Sequence, residues 1–205
     1  MGTFVCASAV RGAEPRAVLA AVASYFDGLD VATEPRAGDP QSDDLKVYDA
    51  SNGWTTVLWP QYFLPLHDHA AQALSRGLDT LVSSTYTADS DGWAHFVHLS
   101  GTLIDKFHSW PAVLAWEQEE VPRLAVEWSG DPGLVAGVFG VEQEAIRRFF
   151  AQAGPDDEDH PGIDGWGFVE LWEALGITYP VGEVELAAVL QVDQSWRQVQ
   201  AAESD

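Results

Sequence analysis

In the segment TLVSSTYTADSDGWAHFVHLSGTLIDKFH, residues 80–108, three strand-like runs are separated by two turn signals. Thr80 to Ala88 and Trp93 to Leu99 are rich in β-branched and aromatic residues and flank Asp89-Ser90-Asp91-Gly92, a cluster of turn formers. Ser100-Gly101 then turns the chain straight into a third run, Thr102 to His108. Two successive hairpins make an antiparallel meander. A two-residue loop at Ser100-Gly101 sets a register in which Leu99 faces Thr102 and Trp93 faces His108.

Working outward, a further hairpin is expected where Leu45 to Ala50 and Trp54 to Trp59 flank Ser51-Asn52-Gly53, because Asn-Gly readily takes the positive φ angles of a tight turn. Thr3 to Val10 reads as a short apolar strand. Glu14-Pro15 opens a buried helix to about Phe26, and His67 to Leu78 fits a second helix with Ala71, Leu74 and Leu78 at helical spacing. Glu34 to Asp44, with Pro35, Gly38 and Pro40, reads as a loop. The order of these runs is that of an α+β protein, an antiparallel sheet with helices on one face.

Beyond Trp110-Pro111 the pattern becomes helical. Helices are expected over about Ala112 to Trp128 with a break near Pro122, Asp131 to Phe139, Glu142 to Gln152 and Gly165 to Leu175. Asp131-Pro132 is a clear helix start, and Gly140-Val141 and Gly176-Ile177 suit left-handed C-caps backed by an apolar contact. The expected organisation is a sheet domain over 1–110, a C-terminal helical annex over 111–191 and a weakly patterned tail over 192–205.

Charge narrows the function. The 205 residues carry 10 Lys+Arg against 32 Asp+Glu, a formal net charge of −22, and residues 109–205 hold 4 of those basic and 19 of those acidic side chains. Such a field repels nucleic acid and anionic membranes and attracts basic proteins or metal cations. With 46% apolar residues and nine Trp, the chain has far too many core formers to be disordered. The lone Cys6 rules out an intramolecular disulfide and a cysteine zinc site. Ala17 to Phe26 is about half the length of a membrane span. A strand-like run ahead of Arg11 and Arg16, with Glu14 between them, argues against a signal peptide, so a cytoplasmic location is expected.

The segments Ser90-Asp91-Gly92-Trp93, Ser100-Gly101-Thr102-Leu103-Ile104-Asp105-Lys106-Phe107-His108-Ser109-Trp110-Pro111, Leu134 to Phe150 and Leu171 to Pro180 resemble a group of bacterial proteins of actinobacterial type. The shared pattern is Asp-Ser-Asp, a strand, a Gly turn, Leu-x-Asp-x-Phe-x-Ser-x-Pro, then helix-Gly-Val-helix, over about residues 80–180. The resemblance implies kinship and no activity. In style alone, the acidity and the order of elements are also similar to bacterial immunity proteins, which cap toxins.

Several constellations invite a chemical reading. Ala136, Gly140, Val141 and Ile146 occupy the packing positions of a helix-turn-helix, but Glu142 and Glu144 open its second helix and would repel phosphates, leaving only Arg147 and Arg148 near its end. In the expected register His95 and His108 share one sheet face, approached by His67 and His69, as an acid/base pair or a metal site would require. Against that, His95 would oppose Lys106, and His67-Asp68-His69 lacks the spacing that places two histidines on one helix face. Asp157-x-Asp159 with Gly162 imitates part of a calcium loop, yet Pro161 and Phe168 stand where ligands belong. Nucleophile-elbow, phosphate-loop, dinucleotide and metalloprotease motifs are missing, and no motif implies a cofactor.

The leading expectation is therefore a non-enzymatic module binding a basic protein, in the manner of an inhibitor or immunity factor. Trp93, Trp110 and Trp166 would serve as anchors beside Asp156, Asp157, Glu158 and Asp159. The alternative is a small-molecule or metal-dependent enzyme using His95 and His108.

Overall fold

The computed structural model describes residues 4–87, 92–154, 166–180, 182 and 184–203. It is an α+β protein built on an antiparallel sheet of eight strands. The elements are β1 (Val5–Arg11), α1 (Pro15–Asp27), β2 (Thr33–Pro35), β3 (Asp44–Tyr48), β4 (Trp54–Leu58), α2 (Leu64–Gly77), β5 (Leu81–Thr87), β6 (Trp93–Leu99), β7 (Thr102–His108), α3 (Val121–Glu127), α4 (Pro132–Phe139), α5 (Gln143–Ile146), α6 (Gly167–Ala174), β8 (Leu186–Val192) and α7 (Trp196–Glu203). The strand order is β2-β8-β3-β4-β1-β5-β6-β7.

β1 lies near the middle of the sheet and is buried on both faces, which is why it reads as a continuous apolar run instead of an alternation. Cys6 and Val10 point into one core with Val18, Val22 and Phe26 of α1 and Leu66, Ala70, Ala71 and Leu74 of α2. Ala7 and Ala9 point the other way, into a second core with Val135, Ala136 and Phe139 of α4, Ile146 of α5 and Phe168, Leu171 and Trp172 of α6. The first two helices thus cover one face and the annex covers the opposite one.

Local turn chemistry acts where expected. Asn52 and Gly53 have φ of 53° and 80°, and Ser100 and Gly101 have 50° and 81°. Asp131 caps α4, its carboxylate accepting from the Gly133 and Leu134 N–H groups at 2.8 and 3.0 Å. Gly140 at φ 74° ends α4, with the Val141 N–H donating to the Ala136 carbonyl at 3.0 Å. The helix-turn-helix look-alike is a packed helical hairpin, with Ala136 and Ile146 both buried in the second core.

Three expectations give way. The sheet is not confined to residues 1–110: β8 inserts between β2 and β3, so a late segment completes it. The 192–205 segment is not weakly ordered throughout, since Trp196 is fully buried with its ring 5.3 Å from that of Phe63. The helix expected from Ala112 is instead a 3-10 turn at Pro111–Leu114, a second short turn at Gln118–Glu120 and α3, leaving Trp116 in a bend between the turns.

Candidate functional site

The histidines are distributed by a β-bulge. Leu99 pairs with Thr102 as the loop dictates, but the register shifts between Val97 and His98, so His108 pairs with Ala94 and His95 with Phe107. One inserted residue reverses the facing of everything beyond it. The expected pairing of Trp93 with His108, and of His95 with Lys106, is therefore not formed, and His95 and His108 lie on opposite faces of the sheet.

On the annex face His95 is fully buried, its Nε2 at 2.8 Å from the Ser83 hydroxyl. Burial holds its pKa down to about 3, reinforced by His98 across the sheet. On the α2 face His67 places Nε2 3.1 Å from the Ala7 carbonyl and meets Tyr86 and Phe96 edge-on. His108 accepts the Trp110 N–H at Nδ1, 3.0 Å, and lies edge-on to Tyr86 and Trp128. Burial lowers both of these histidines to about 4. Each makes one hydrogen bond through its ring, and the Nδ1 atoms of His67 and His95 are buried with no partner among the described residues, while His69 sits on the exposed side of α2.

His98, absent from the sequence candidates, reaches Asp68 of α2, Nε2 to Oδ1 3.2 Å. Ser84 lies on the same sheet face, which completes a Ser-His-Asp composition. Yet Ser84 is fully buried beneath α2 and its hydroxyl has no hydrogen-bond partner among the described residues, so the nucleophile–base contact of a catalytic triad is not made. Among the described residues no three His, Cys, Asp or Glu side chains are grouped to hold a metal ion.

The tryptophans sort differently from expectation. Trp93 is only 2% exposed and belongs to the second core, with its ring 5.1 Å from that of Phe107. A Cβ on Gly167 would sit 2.7 Å from its indole nitrogen, so α6 lies directly on it and Trp93 cannot anchor a partner. Trp110 is half-buried. Trp166 remains partly exposed, stacked on Phe168 and edge-on to Tyr179. Asp156, Asp157, Glu158 and Asp159 lie outside the described residues, as do the Asp89-Ser90-Asp91 turn and the Pro161 and Gly162 of the calcium-loop look-alike.

Trp116, which was not among the expected anchors, is 97% exposed. Its backbone N–H donates to a Glu120 carboxylate oxygen at 2.9 Å, and Glu117 and Glu120 form a capping box that starts the next turn after it. Val113 and Val126 are also exposed, and Glu117 and Glu119 stand in solvent beside it. From Glu120 a line of ion pairs runs through Arg123 to Glu127 and on to Lys106.

That line ends at a cleft of about 330 Å³ between the edge strand β7 and the segment that leads from α3 into α4. The segment is tied to β7 by the His108 N–H donating to the Trp128 carbonyl at 3.0 Å and by a bridge pairing Phe107 with Ser129. Asp105 lines the cleft. Its Oδ1 accepts the Asp131 N–H at 2.8 Å, its Oδ2 is buried with no partner among the described residues, and burial raises its pKa to about 6.

No protein-family model matches the chain, and no curated protein or solved structure matches it either.

Proposed function

We propose that the chain is a non-enzymatic acidic module that binds a basic protein, as an inhibitor or immunity-like factor does, and that Trp116 is its principal anchor. The exposure of Trp116 carries this reading. An indole that is 97% exposed is not contributing its area to the core, and with exposed Glu117 and Glu119 next to it in the chain it has the make-up of an aromatic hot spot inside a charged rim. Trp166 is a secondary contact. The net charge of −22 would steer a cationic partner toward the surface.

The histidine-based enzyme has less in its favour, because His95 and His108 are buried on opposite faces and share no pocket. Kinship with the actinobacterial-type group and a cytoplasmic setting belong to the same proposal; the single buried thiol of Cys6 suits a reducing compartment. The test is the association rate with a captured basic partner across ionic strength. A steep fall with added salt is expected, and a rate independent of salt contradicts the reading.

A further inference from the structure

Asp105 presents an unresolved charge. The residue is only 8% exposed, yet among the described residues one of its carboxylate oxygens meets no donor. Strand alternation explains why the neighbouring cation does not supply one. Lys106 points to the other sheet face, where its ammonium pairs with Glu127 at 2.7 Å and lies 4.5 Å from the centre of the Trp128 ring. Asp131 adds negative charge at the mouth of the cleft, its Oδ1 already engaged in capping α4. Buried carboxylates in folded proteins are ordinarily paired or fully hydrogen-bonded. This one is half satisfied, its free oxygen covered beneath a residue that lines the cleft, so a partner's cation must displace little to reach it.

The geometry points to the cleft beside β7 as a socket for one cationic side chain of a protein partner, a guanidinium or ammonium group seated on Asp105 with Asp131 flanking it. The inference rests on the protein-binding reading and adds to it what the partner must present. At about 330 Å³ the cleft is at the small end of ligand pockets, which suits a side-chain head more than a length of polypeptide. Leu103, 39% exposed at the rim, offers apolar surface to a methylene stem. A bare metal ion fits less well, since no three ligating side chains are grouped among the described residues. The ion-pair line from Glu127 through Arg123 to Glu120, which holds the Trp116 backbone, makes anchor and socket parts of one surface. A partner would bring one apolar site for Trp116 and one Arg or Lys for the cleft.

The test is an NMR titration of the isotope-labelled full chain with N-acetyl-arginine methylamide, N-acetyl-lysine methylamide and the neutral isostere N-acetyl-citrulline methylamide. Saturable shifts of the Lys106, Gly130 and Asp131 amides are expected with one or both cationic probes and not with citrulline. Asp105→Asn keeps an acceptor for the Asp131 N–H, and its amide spectrum reports whether it folds. In this variant the affinity should drop about tenfold, in line with the loss of one charge-assisted hydrogen bond. Equal shifts with citrulline, no saturable shift with either cation, or undiminished binding by a folded Asp105→Asn would overturn the socket. Because the probes are single residues, that failure leaves salt-sensitive protein binding at Trp116 standing. Conversely, loss of Trp116-dependent binding with the titration intact would count against the module alone.

Discussion

Trp116 stands clear of the surface while its own backbone N–H is held by Glu120 at 2.9 Å. The ring is displayed from a fixed piece of chain. Trp116→Ala should therefore leave stability within about 0.5 kcal/mol of the parent, as surface substitutions do, while a bound partner should lose about 2 kcal/mol or more. Urea unfolding together with partner affinity checks both halves, and a large stability loss would place Trp116 in the core after all.

Trp93 is the converse case. Its indole fills the space between Phe107 and α6, so Trp93→Ala should cost about 3–5 kcal/mol in urea unfolding. Partner affinity of whatever remains folded should be unchanged, since the residue presents almost no surface.

Acid should weaken the fold through the buried histidines. His67, His95 and His108 have native pKa values lowered to about 4, 3 and 4 from an ordinary value of 6.5. A depressed native pKa means that the unfolded chain takes up protons first, so stability is intact above pH 6.5 and declines on the way down. By pH 5 the loss is about 2 kcal/mol for each imidazole. Melting temperatures measured between pH 7.5 and pH 5 should fall accordingly, and a flat profile would mean that these side chains are hydrated.

Asp105 works in the opposite sense. Its native pKa is raised from 3.8 to about 6, so its contribution is most favourable below the unfolded value and is lost as pH rises through 6. Asp105→Asn should then stabilise the chain at pH 7.5, with the gain fading toward pH 4. Urea midpoints at the two pH values test this, and destabilisation at pH 7.5 would show that the carboxylate has a partner.

Much of the fold was readable because its turns are local. Asn52-Gly53, Ser100-Gly101, Asp131-Pro132 and Gly140 each declare a backbone conformation through their own chemistry. β8 was not, because LAAVLQV carries little alternation and finds its place by pairing with β2 and β3, far away in the chain. The bulge at Val97 and His98 leaves no mark in composition, and it determines that His108 faces away from His95. Two signals were present but outweighed. Strand alternation puts Asp105 on the buried side with Phe107, and a glutamate pair at Glu117 and Glu120 starts a new turn just after Trp116, ending the apparent helical run before it.

In the proposed function a basic protein docks on the acidic surface around Trp116. Capture on the immobilised full chain, at low and at high salt, with the parent and with Trp116→Ala side by side, tests it most directly. A cationic protein held at low salt, released at high salt and lost with Trp116→Ala is the result expected; retention that ignores both the salt and the substitution would contradict the claim.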